Sequence, residues 1–148
     1  MGLFDFFRKA APEAPVAAPA EAAIGDAGVD FMAAIEAHIR WKVRLEQYID
    51  GNSAEKLDPV IVGMDNQCLL GKWIYGIGGE KYGANPLFQE VKEIHTEFHK
   101  CSAGIMCQAD GGDREGAIQA LHLGDHFKHS QRIKAKLARL HLELSGGE

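Results

Sequence analysis

His95 and His99, in the stretch EIHTEFHK, are the residues most suited by type and spacing to act together. A helix turns about 100° per residue, so a separation of four returns to nearly the same face one turn along. Two imidazoles stacked in this way can grip one metal ion, although many such pairs are ordinary helix residues. The protease motif H-E-x-x-H places a glutamate directly after the first histidine, poised to activate a metal-bound water. Here the order is His95, Thr96, Glu97, Phe98, His99. Glu97 therefore lies about 200° round the helix from His95 and faces away from a shared metal. Hydrolysis is disfavoured.

His38 and Cys68 are candidates for the other half of a site. His38 falls between Ile35 and Trp41 on one apolar stripe, and His95 falls between Val91 and Phe98 on another. Bare imidazoles there would lose water without an obvious partner. Cys68 is placed near the start of a short helix, where the positive end of the dipole favours thiolate. One thiolate and three imidazoles suit a closed tetrahedral Zn²⁺ site, one ion per chain. A di-iron bundle is the competing metal reading and needs carboxylates on the same inner faces. Neither Glu36 nor Glu97 lies on the stripe carrying its neighbouring histidine.

Other residues of these types are weighed against plainer roles. His122, His126 and His129, in LHLGDHFKHS, share a helical face and are candidates for a second metal site. The alternative is a solvated or hydrogen-bonded face. Cys101 and Cys107 read as small buried thiols rather than ligands. A disulfide between Cys68 and Cys101 requires their Cα atoms within about 7 Å.

The elements that must position these side chains are helical throughout. Apolar residues from Val29 to Ile49 recur in steps of three and four, with Gly51 as a stop. A connector follows, with Asp58-Pro59 as a breaker and a short turn of helix expected before it. A short helix is predicted over about Gln67–Tyr75, capped by Asp65 or Asn66 and ended by Gly76, Gly78 and Gly79. Asn85-Pro86 opens a long helix reaching about Ala109. Asp113 caps a last long helix, predicted unbroken from Arg114 to Leu144. No useful β-alternation occurs, so the expected fold is an all-α, antiparallel four-helix-type bundle with one short helix carrying Cys68. Trp41 and Trp73 are expected in its core, and Gly71 is expected to permit close approach of the short helix to a neighbour.

Composition bounds the function. The chain has 148 residues, a net charge of -5 and no run of basic residues, which argues against nucleic acid as a partner. No apolar run approaches the roughly 20 residues of a membrane span. The start, MGLFDFFRKA, places its apolar residues before its positive charges, the reverse of a secretory signal. A cytoplasmic location with free or metal-bound thiols is expected. Residues 1–9 form a hydrophobic tip, 10–26 an Ala/Pro-rich flexible linker, and 27–145 the helical domain. The tip reads either as a frayed tail or as a docking peptide for a partner groove or membrane surface.

Three stretches, AHIRWKVRLEQYIDG, NQCLLGKWIYGIGG and VKEIHTEFHKCSAGI, together resemble the chemoreceptor zinc-binding (CZB) family. That family combines H-x-x-W, C-x-[FL]-G-x-W and H-x-x-x-H elements, all met here in order. The resemblance runs over about residues 29 to 142. It implies that His38, Cys68, His95 and His99 are zinc ligands and that Trp41 and Trp73 are the family's aromatics. It further implies a non-enzymatic sensor of zinc or thiol-reactive oxidants. Family members usually regulate an attached output, such as a chemoreceptor signalling region or a diguanylate cyclase. With no such region in this sequence, the expectation is a signalling partner in trans, with a homodimer through the long helices as a further expectation. A structural or buffering zinc protein is the alternative.

Overall fold

The computed structural model describes residues 27–146; the tip and linker, 1–9 and 10–26, lie outside the described residues. The described elements are helices: α1 (Phe31–Asp50), α2 (Pro59–Val62), α3 (Leu69–Ile74), α4 (Ile77–Tyr82), α5 (Pro86–Asp110), α6 (Arg114–Leu123) and α7 (Asp125–Gly146). The all-α expectation holds.

Their ends follow from local chemistry. Asp30 caps α1 by accepting from the Ala33 amide, and Gly51 closes it in the left-handed region at φ 77°. Asn85 caps α5 through the amides of Leu87 and Phe88, with Pro86 in the first turn. Asp113 caps α6 through the Gly116 amide.

The chain alternates in direction. Phe31, at the start of α1, lies against the ring of His141 near the end of α7, the two rings tilted by 40°. Asn85, before α5, donates to Glu143 near that same end. Tyr48 and Asp110, late in α1 and α5, hydrogen-bond to each other, so these two helices run the same way. The short helix α3 runs against both, from Cys68 beside the histidines to Trp73, whose ring meets Phe31 and Phe88 edge-on. This makes an up-down-up-down bundle in which α3 is a truncated second leg.

Phe88, Phe98, Leu45, Leu70, Met106, Leu137 and Leu140 lie fully buried in its core. Trp41 and Trp73 are buried as expected, and the Trp73 indole donates to the Ala27 carbonyl. Each such large side chain contributes on the order of 1.5–3 kcal/mol by leaving water.

Three boundaries differ from the sequence reading. The turn of helix in the connector follows Asp58, with Pro59 as its first residue, rather than preceding the breaker. Gly78 and Gly79 do not end structure but lie inside α4. A Cβ on Gly78 would fall 2.5 Å from the Trp73 ring, so this glycine serves packing. The predicted final helix is broken at Gly124, whose φ of -100° and ψ of -149° separate α6 from α7.

Candidate metal centre

Each of the four residues reaches the centre from a different local setting. His38 projects from α1, and its Nδ1–H donates to the Ala34 carbonyl one turn back at 2.7 Å. His99 projects from α5, and its Nδ1–H donates to the Val62 carbonyl at the end of α2 at 2.8 Å. These bonds place the proton on Nδ1 and leave Nε2 with its lone pair toward the centre. His95, one turn before His99, is fully buried, and its Nδ1 has no partner.

Cys68 is itself the N-cap of α3, its sulfur accepting from the Gly71 amide at 3.4 Å. Asp65 does not cap α3. Its carboxylate instead accepts from the hydroxyls of Thr96 at 2.6 Å and Tyr75 at 2.7 Å, tying the loop before Cys68 to α5 and to the end of α3. That loop passes directly over Gly71, where a Cβ would collide with the Asp65 carbonyl. The close approach expected of Gly71 is therefore to the Asp65–Asn66 backbone.

The result is convergence. Sγ of Cys68 lies 3.3 Å from Nε2 of His95, 3.7 Å from that of His99 and 4.0 Å from that of His38. The Nε2 atoms of His95 and His99 are 3.1 Å apart, and the four ligand atoms all lie within 4.8 Å of one another. Tetrahedral zinc, with bonds near 2.3 Å to sulfur and 2.0–2.1 Å to nitrogen, requires S···N separations of about 3.6 Å and N···N separations of about 3.3 Å. The three S···N distances straddle the first value, and the His95–His99 separation lies close to the second.

Protonation supports the same reading. Burial pushes His95 down to about 2, with His38 and His99 pushing the same way. Burial likewise lowers His38 to about 4, against the opposing effect of its bond to Ala34. His99 is lowered by burial, with the Val62 bond and the Asp65 charge opposing. Three imidazoles held neutral beside one thiol offer more lone pairs than hydrogens at a shared point. A cation satisfies them all.

The expectation that the α3 dipole favours thiolate meets an opposing effect. Burial raises the Cys68 pKa, and the Gly71 and Leu70 amides offset only part of the rise. Metal coordination reverses such a balance by stabilising the thiolate directly.

Residues 38–106 match the sequence family described as the chemoreceptor zinc-binding domain. This chain carries a chemoreceptor zinc-binding domain. The match opens on His38 and spans all four converging residues, whose cluster fits one Zn²⁺ per chain. It is narrower than the stretch of 29 to 142 over which the motifs suggested a resemblance. No curated protein and no solved structure matches the chain. Among the described residues no helix is long and apolar enough to cross a membrane.

The second histidine set does not converge. His122 pairs with Glu46 at 3.0 Å, and His126 lies 3.0 Å from the Ser102 hydroxyl, which itself donates to the Phe98 carbonyl. His129 has a buried Nδ1 without a partner. Among the described residues, only the zinc-domain cluster brings three or more metal-ligating side chains together. Cys101 is half-buried, whereas Cys107 is exposed, contrary to the expectation of a buried thiol; both are free, as is Cys68. Residue types could not have pointed to the carbonyls of Ala34 and Val62 as histidine partners. Asp65 was visible, but its role depends on a loop path that spacing does not encode.

Proposed function

We propose that this chain is a zinc-dependent sensory or regulatory module in which His38, Cys68, His95 and His99 hold one Zn²⁺ and Cys68 is the responsive group. The observation that carries this reading is a contrast in access. His38, His95 and His99 are at most 3% exposed, whereas Cys68 is half-buried. Cys68 is thus the one residue of the four that is not closed off from solvent. Bound zinc would hold that sulfur as thiolate, the form most open to oxidation.

The protein's own residues then carry the consequence. Cys68 caps α3, so a change at its sulfur also disturbs the bond from Gly71. At the other end of α3, Trp73 holds the Ala27 carbonyl. Loosening α3 therefore reaches both the ligand cluster and the point where the chain enters the bundle. The stimulus class is zinc availability or a thiol-reactive oxidant, acting in the cytoplasm. The output passes to a partner in trans of chemoreceptor or diguanylate cyclase type, with a homodimer through the long helices as the candidate assembly.

The test is a hydrogen peroxide titration of the zinc-loaded chain, with a zinc-responsive dye and hydrogen exchange read together. Sensing predicts zinc release and faster exchange over 65–76, both reversed by thiol reductant and zinc. Retention of zinc with unchanged exchange at full Cys68 exposure to oxidant would leave a structural or buffering site instead.

A further inference from the structure

A cavity of about 130 Å³ opens between α1 and the start of α7, lined by Ile39, Lys42, Leu121, His126, Phe127 and Lys134 among others. Ile39 and Phe127 are 45% and 44% exposed, and Val43 and Leu123 nearby in sequence are 50% and 77% exposed. Lys42 and Lys134 have no ion-pair partner among the described residues. A cavity of this size holds about one aromatic ring. Its chemistry asks for a ring with a carboxylate beside it.

The sequence contains such a group in Phe4-Asp5-Phe6. We propose that the N-terminal tip docks in cis on this cavity, one phenylalanine filling it while Asp5 pairs with Lys42 or Lys134. The order of charges agrees. Arg8 and Lys9 follow the phenylalanines, and Glu36 is exposed on α1 one turn before Ile39, toward the chain's entry point.

The tether length also agrees. The described fold begins at Ala27, whose carbonyl is fixed by Trp73 beside the start of α1. At 1.5 Å per residue, Ile39 and Lys42 lie about 12 Å and about 17 Å along α1 from Phe31. A chain of the length of residues 10–26 can reach at most about 55–60 Å, well beyond either distance. The tether therefore permits an intramolecular contact. Docked, the tip is withheld from other surfaces. Released, it is free to bind them.

Amide NMR of the zinc-loaded full chain tests this, comparing wild type with Phe4→Ser/Phe6→Ser. These substitutions lie outside the helical bundle, so the fold is not at stake. The proposal expects the resonances of Ile39, Lys42, Phe127 and Ser130 to shift, those of Gln108 to Asp110 to stay, and the shifts to be independent of protein concentration. Asp5→Lys should reproduce the variant spectrum, and adding Lys42→Glu and Lys134→Glu to it should restore the wild-type pattern near Ile39. Coincident spectra for wild type and variant would overturn the proposal. A concentration-dependent difference would assign the cavity to a second copy and also overturn it. So would a difference that appears only with phosphatidylglycerol vesicles, which would make the tip a membrane anchor.

Discussion

Two histidine clusters of similar spacing have different fates in this molecule. His95 and His99 repeat at four residues, as do His122 and His126. The first pair meets His38 from a parallel helix and Cys68 from a short antiparallel one, so that four ligand atoms share one point. The second set is spread along α6 and α7 across the break at Gly124, and its members turn to different neighbours. Spacing on one helix sets a face. A metal site also requires other helices to deliver ligands to that face, and here a capping cysteine and a glycine under the Asp65–Asn66 loop do so.

The comparison breaks most readily at the ligands. Cys68→Ala and His95→Ala should each weaken zinc binding by more than the roughly 100-fold that loss of an outer partner costs, whereas His122→Ala or His129→Ala should leave it unchanged. Competition titration against a chelator of known affinity reads both. Equal losses from the two sets would remove the distinction.

Acid sharpens it. His126 is buried and neutral, with burial, His129 and His99 together lowering it to about 4. The unfolded chain binds this proton at its ordinary value of about 6.5, so stability is intact above that pH and drains as pH falls from about 6.5 toward about 4. The drain amounts to about 3 kcal/mol for one such buried group. Denaturant midpoints over that range, for metal-free wild type and His126→Phe, should show a shallower acid slope in the variant. Identical slopes would mean that His126 is not held neutral.

Gly71→Ala forces the Asp65 backbone away from α3 and should cost about 1–3 kcal/mol while also weakening zinc. Ser102→Ala strips the hydroxyl from buried His126 and should cost about 1 kcal/mol, with one zinc still bound. His122→Gln removes only a partly exposed pair with Glu46 and should change stability by less than about 1 kcal/mol. Thermal unfolding with metal analysis of each variant ranks all three.

The long helices were legible because their apolar residues recur at helical steps and their caps are chemically explicit, as at Asn85 and Asp113. The ligands were legible because two inward histidines, a third one turn on and a cysteine make one four-ligand set, whereas a single buried histidine such as His126 is satisfied by a hydroxyl. Less was visible where one residue type serves two ends. Gly78 reads as a breaker, yet it sits inside α4 because Trp73 lies against it. The apolar pattern reads as one helix from Arg114 to Leu144, yet Gly124 divides α6 from α7. Asp65 reads as a cap, yet two hydroxyls distant in sequence claim it while Cys68 caps α3. Each outcome was decided by tertiary neighbours.

The most direct measurement is zinc per chain by native mass spectrometry on protein purified without added metal. It should be made on wild type, on Cys68→Ala, His38→Ala and on the triple variant His122→Gln/His126→Gln/His129→Gln. The account predicts one zinc in wild type and in the triple variant, and much less than one in Cys68→Ala and His38→Ala. Full zinc retention in both single variants, or two irons per chain in wild type, would contradict it.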